Sequence, residues 1–219
     1  MRALLDLILP LECGGCGLPD AGWCAACADE LDADPVALRP RVDPGVPCWA
    51  LGAYTGPRRT AIVAAKERGR RDLAEPLGAA LAGALARLRE DGELDPAPLA
   101  ELVLIPAPTR ARAARRRGGD PVTAMARAAA RGLPGCRVLR GLRLAAGARD
   151  SVGLSPAARR ANVFGRVASA VSSTDVDAGA NVVIVDDVLT TGATAAESVR
   201  TLCRAGVRVS GAIVVAAAG

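Results

Sequence analysis

The chain has 219 residues, enough for one substantial core with a small appendage. It contains no histidine, which excludes Ser-His-Asp and Cys-His catalysis, histidine metal ligands and histidine pH sensing. The net charge of +5 is uneven: five arginines face eight acids over residues 1–60, and twenty-three basic residues face fifteen acids over the remainder, a balance suited to a phosphorylated ligand or nucleic acid.

Residues 1–10 read as a short helix ended by Pro10. No small-residue cleavage pattern follows the apolar stretch Leu4–Leu9, and no apolar run approaches the roughly 20 residues of a membrane span. The expectation is a cytoplasmic protein without membrane insertion. Residues 11–30 hold two Cys-x-x-Cys pairs, Cys13/Cys16 and Cys24/Cys27. Each pair closes a tight turn that aims two thiolates at one ion, and four thiolates without an open position describe a structural Zn²⁺ site. The alternatives are two disulfides or unpartnered thiols. Cys48, Cys136 and Cys203 read as small buried residues.

Residues 32–48 carry Pro35, Pro40, Pro44 and Pro47 and read as an extended linker. The expected division is therefore a helix, cysteine module and linker over 1–48, then one larger domain over 49–219. A strand is expected at 49–54. Helical spacing covers 57–90, with Leu73, Leu77, Leu81, Leu85 and Leu88 on one face. Leu102–Ile105 is a buried strand stopped by Pro106-Ala107-Pro108. Asp120 as N-cap and Pro121 at the first position open a helix over 120–132. Val138-Leu139 is a candidate strand. Residues 145–160 read as a mobile loop leading into a short Arg-rich helix. Asn181–Val185 is a strand, Ala193–Ala205 a helix and Val207–Val215 a last strand. Strands alternating with helices imply an α/β fold with a parallel sheet. With two Trp, one Tyr and one Phe in all, its core is aliphatic.

The chemical signal lies at 182–194, Val-Val-Ile-Val-Asp-Asp-Val-Leu-Thr-Thr-Gly-Ala-Thr. An apolar strand ends in two carboxylates, Asp186 and Asp187, where open α/β sheets bind ligands. Thr190, Thr191, Gly192, Ala193 and Thr194 then lead into a helix whose first N–H groups and dipole favour a phosphate. Ionised Asp186 and Asp187 accept from sugar hydroxyls, directly or through Mg²⁺-bound water. The segment has neither the Gly-Lys-Ser/Thr of a Walker A loop nor a Gly-x-Gly-x-x-Gly turn. The bland reading makes Asp-Asp a turn and Thr-Thr-Gly a helix start.

At these residues the chain resembles the type I phosphoribosyltransferase signature. Tyr54–Gly69 with Lys66, Leu104–Pro108, the arginines through Arg117-Gly118, Gly153-Leu154-Ser155 and Arg160–Val163 are similar in order to the ComF/GntX family, as is the four-cysteine module. That family includes late competence DNA-uptake proteins and gluconate-linked proteins. Gly119-Asp120-Pro121 stands where many members have Phe-Asn-Gln, and Ser151 where glutamine is frequent. The resemblance implies a phosphoribosyltransferase-like parallel sheet flanked by helices, with a small N-terminal zinc module. It implies that the chain binds phosphoribosyl pyrophosphate with Mg²⁺, or a nucleoside monophosphate. Asp186 and Asp187 would hold the ribose 2′- and 3′-hydroxyls, and Thr190–Thr194 the 5′-phosphate. The Pro106–Arg110 turn, including Ala107 and Arg110 and with room for a non-proline cis peptide, would face pyrophosphate. Residues 145–163 would match a lid, with Arg159 or Arg160 near pyrophosphate.

For Lys66 the choice is between a role near the sugar phosphate and a surface position. For Arg110, Arg112, Arg115, Arg116 and Arg117 it is pyrophosphate contact, DNA contact or a solvated face. The alternative function is a non-enzymatic DNA-uptake accessory that binds single-stranded DNA or a helicase-like partner.

Overall fold

A computed structural model describes residues 11–109, 119–144 and 165–218. The helix expected at 1–10 and the loop and Arg-rich helix expected at 145–160 lie outside them. A six-stranded sheet has the order β1-β2-β8-β7-β3-β4. Its strands are β1 (Val36–Leu38), β2 (Cys48–Ala50), β3 (Leu102–Pro106), β4 (Cys136–Val138), β7 (Asn181–Leu189) and β8 (Gly211–Ala217). Only β1 runs antiparallel to its neighbour; the other pairings are parallel. A separate antiparallel pair, β5 (Leu142–Leu144) and β6 (Val167–Ser169), was not foreseen from the sequence.

The central strands read as unbroken apolar runs because both sheet faces are covered. Along β7, Val183 and Val185 enter one core cluster, and Val182 and Ile184 enter the other. The first cluster packs under α2 (Gly56–Glu67), α3 (Ala74–Glu90) and α4 (Pro121–Arg131). Ile62, Leu77, Leu81, Leu85, Leu88 and Met125 are among the large side chains those helices bury there. Each such residue contributes about 1.5–3 kcal/mol by leaving water. The leucine stripe is thus the core face that its three- and four-residue spacing predicts. Gly78 lets α3 and α4 touch: a methyl group there would sit 2.7 Å from the Met125 carbonyl oxygen. The second cluster packs under α5 (Ala193–Arg204), through Val199 and Leu202.

The segment expected as a linker is partly sheet. Val36–Leu38 pairs with β2, Val36 opposite Ala50. Ahead of it, the cysteine module folds as a turn, closed by the Glu12–Pro19 bridge, followed by α1 (Ala25–Leu31). Arginines fasten the module to the helical layer. Arg58 reaches the Glu30 side chain and carbonyl, and Arg87 donates to the Asp32 carboxylate at 2.7 Å and the Ala33 carbonyl at 3.0 Å. Arg70 donates to the Glu12 carbonyl at 2.9 Å and the Gly22 carbonyl at 3.1 Å. Gly14 lies so close to Leu73 that a Cβ would meet its methyl groups at 2.5–2.6 Å.

Two boundaries differ from expectation. The strand β7 continues through Asp186 and Asp187 to Leu189, because β8 accompanies it as far as Ala217. The last strand starts at Gly211, not Val207. There the Trp49 indole lies over Gly211, and a Cβ would come within 2.9 Å of that ring.

Candidate functional site

Sheet connectivity fixes where a ligand can sit. From β3 the chain leaves through α4 to β4 on one side; from β7 it leaves through α5 to β8 on the other. Adjacent strands whose connections diverge open a crevice at their carboxyl ends. Those ends are Pro106–Thr109 and Asp186–Thr194.

Successive strand residues face opposite sides of a sheet. Asp186 lines a narrow hollow of about 30 Å³ with Ala107, Thr190, Gly192, Ala193 and Thr194. Asp187 instead faces a cleft of about 630 Å³, together with Lys66. The family resemblance implies both carboxylates on one ribose; in the fold they line different hollows on the two sides of the strand. Thr191 is buried, and its hydroxyl accepts the Ala193 N–H at 3.4 Å. Thr190 is exposed at the mouth of the hollow.

Gly192 is the N-cap of α5 with φ of 86°, a left-handed conformation that glycine adopts without cost. It also touches the former linker: a Cβ there would be 2.6 Å from Pro40 Cβ and closer still to the Val42 carbonyl oxygen. Val42 N–H donates to Thr191 O at 2.8 Å, so the 40–42 segment braces the loop. The first-turn N–H groups of α5 have no partners within their own helix, the usual condition of an anion-accepting helix start.

Lys66 Nζ is 2.5 Å from Asp187 Oδ2, with the carboxylate side chain 8% exposed and the lysine 34% exposed. Burial works against the ammonium charge, but Asp187 and then Asp186 outweigh it, so Lys66 stays charged beyond its ordinary pKa. Asp186 has the opposite problem. Burial, then the Asp187 charge, push its pKa to about 8 against the pull of Lys66. Its Oδ1 accepts the Asp187 N–H at 2.9 Å. Near neutrality this carboxyl holds its proton, so a cation there must displace that proton.

The large cleft opens between the end of α2, the start of α3 and the N-terminus of α4. Asp120 precedes α4 as the sequence predicts, yet does not cap its N–H groups. Its carboxylate accepts from Thr109 Oγ1 at 2.9 Å and Thr123 Oγ1 at 2.6 Å. Sequence reading missed the cleft-lining Arg70, Arg127 and Arg140; scattered surface arginines carry no periodic signal. Arg110, Arg117 and Arg160, with the rest of the arginine cluster, lie outside the described residues. Among the described residues every peptide bond is trans, including those joining Pro106 to Thr109.

The four cysteines converge. Cys13 and Cys24 sulfurs are 3.6 Å apart, Cys13 and Cys27 3.7 Å, and Cys16 and Cys24 3.6 Å. All four lie within 4.8 Å of one another. Bonds of about 2.3 Å to a tetrahedral ion place sulfurs about 3.8 Å apart, so this cage could hold a metal. None of the cysteines is in a disulfide. Burial opposes ionisation of Cys13, but the N–H groups of Cys16, Cys24 and Gly15 bring its pKa down to about 6. Burial and the three neighbouring sulfurs push Cys27 far above the thiol range. Four thiols so packed cannot all ionise without a cation among them. Cys48 is buried and Cys136 half-buried; Cys203, expected inside, is exposed on α5.

No helix of the described residues is long and apolar enough to cross a membrane. No protein-family model matches the chain, and no curated protein matches it.

Proposed function

We propose that this chain binds phosphoribosyl pyrophosphate as its Mg²⁺ complex, and that its cysteine cage holds a structural Zn²⁺. One observation carries the ligand reading: Asp186, Ala107 and the Thr190–Thr194 loop meet at the switch point of a parallel sheet, against the N-terminus of α5. The ordered likeness to ComF proteins points the same way. The hollow has room for little more than one water-sized group. The 5′-phosphate would therefore rest over its mouth, among first-turn N–H groups and the Thr190 and Thr194 hydroxyls. Asp186 would accept a ribose hydroxyl.

Mg²⁺, bound through the pyrophosphate and Asp186, would supply charge neutralisation for that leaving group. The raised pKa of Asp186 fits this, because a nearby cation favours its ionised form. Lys66 would hold Asp187 in place beneath the sugar. If transfer occurs, positioning and charge stabilisation would drive it, with no dedicated base.

Titration calorimetry with phosphoribosyl pyrophosphate and Mg²⁺ tests the reading. Saturable binding that weakens at least tenfold in Asp186→Asn is expected. Equal heats from both proteins, or none from the native chain, would remove it. The DNA-binding alternative rests on the ComF likeness and on the basic excess after residue 60, and a salt titration of single-stranded DNA binding tests it.

A further inference from the structure

The 630 Å³ cleft beside Asp187 is far larger than the phosphate hollow and differs from it in chemistry. Its floor is apolar, built from Ile62, Leu77, Val122 and Met125. Its polar lining holds Lys66, Arg70, Arg71, Arg127 and Arg140 with Asp120 and Asp187; Lys66 is paired with Asp187 and Arg70 with Asp72. Both carboxylates are already engaged, Asp187 by Lys66 and Asp120 by the hydroxyls of Thr109 and Thr123. That diversion of Asp120 leaves the start of α4 without a side-chain cap, and Gly119–Ala124 line the cleft. Pro121 has no N–H, so the first free donors of this helix follow it.

We infer that this cleft is a second ligand subsite, for a ring-sized apolar acid, and that on the phosphoribosyl reading it holds the acceptor of the sugar phosphate. The aliphatic floor takes the ring, and the Met125 thioether is a favourable neighbour for an aromatic edge. Arg127, Arg140 and the uncapped α4 start receive the anionic group. A neutral ring gains only the floor, whereas an acid gains the cationic rim as well.

Position connects the two subsites. Asp186 lines the hollow and Asp187 the cleft, and consecutive Cα atoms are about 3.8 Å apart. A sugar lying over the end of β7 therefore has its phosphate on one side of the strand and the cleft on the other. In the transfer, a ring nitrogen gives its lone pair to the sugar C1. The C1–O bond breaks, its electron pair leaves with pyrophosphate, and any proton on the nitrogen passes to solvent.

The inference rests on the phosphoribosyl reading for the word acceptor, but the cleft can be tested by itself. Titration calorimetry compares benzoate and nicotinate with their neutral counterparts benzamide and nicotinamide, with and without phosphoribosyl pyrophosphate and Mg²⁺. An acid should bind at least tenfold more tightly than its amide. Arg127→Ala combined with Arg140→Ala, both exposed positions, should erase that preference while leaving phosphoribosyl pyrophosphate affinity unchanged. Absence of acid binding, equal affinity for acid and amide, or indifference to the arginine substitutions overturns the inference. Retained acid binding in a chain that ignores phosphoribosyl pyrophosphate removes the proposed function and the acceptor role, and leaves an acid-binding cleft.

Discussion

Lys66 Nζ and Asp187 Oδ2 meet at 2.5 Å, joining the last turn of α2 to the central strand at the one point where helix and sheet both border the large cleft. The two partners are unequally placed. Lys66 reaches solvent, whereas Asp187 does not. Removing the lysine strands a buried carboxylate; removing the acid leaves an ammonium that can turn to water. Lys66→Met should therefore lower stability by roughly 1–3 kcal/mol, the cost of a buried polar group left unmatched. Asp187→Asn should cost less. Urea midpoints of the two variants check the order, and equal losses would contradict the asymmetry.

Asp186 gives the pH dependence its sign. Its folded pKa of about 8 lies above an unfolded value of about 3.9. The folded chain therefore holds this proton more tightly than the unfolded one, and Asp186 lowers stability progressively as pH rises from near 4 to about 8. Ligand binding should run the other way. On the proposed function the Mg²⁺ complex needs the carboxylate, so affinity should rise between pH 7 and pH 9 and binding near pH 7 should release a proton. Calorimetry in buffers of different ionisation enthalpy reads that release directly. Asp186→Asn should flatten the pH profile; a profile unchanged by the substitution would count against the role of Asp186.

The cysteine cage should carry about one Zn²⁺ per chain and release it on acidification, as protons compete with the metal for the thiolates. Chelation should do more than loosen the module, because its arginine clamps and the Gly14–Leu73 contact make it part of the α2–α3 surface. A drop in thermal midpoint on chelation, and strong thiolate absorption in the Co²⁺ form, are the expected readouts. Elemental analysis showing no bound metal in protein purified without chelator would refute the zinc assignment.

The helices and central strands were legible because their signals are local: the leucine stripe of α3, the Asp120-Pro121 start of α4, and the apolar runs of β3 and β7. The Cys-x-x-Cys pairs were legible for the same reason, since each spacing is set within four residues. The opposite facing of Asp186 and Asp187 was harder to see. It depends on how far β7 continues, and that depends on pairing with β8, some thirty residues later. The strand in the linker, and its brace on the 190–194 loop, were invisible because four prolines spread through residues 32–48 read as extended chain. Its pairing with Cys48–Ala50 is decided by the sheet edge it meets, not by its own propensity.

That brace leads to a sharp test at Gly192. The fold gives two internal reasons for a glycine there. The residue has a left-handed φ of 86°, and Pro40 and Val42 press against its Cα. A methyl group can be accepted only if the 40–42 segment moves, which breaks the Val42 N–H to Thr191 O bond of 2.8 Å. Gly192→Ala should therefore destabilise the chain by about 1–3 kcal/mol and weaken ligand binding beyond what stability loss explains. Shortening the side chain at Val42 leaves its backbone bond in place, so Val42→Ala should do neither. Hydrogen exchange at the Val42 amide separates the two variants: fast in Gly192→Ala, protected in Val42→Ala. If Gly192→Ala folded as stably as the native chain and kept that amide protected, the linker would have no hold on the loop.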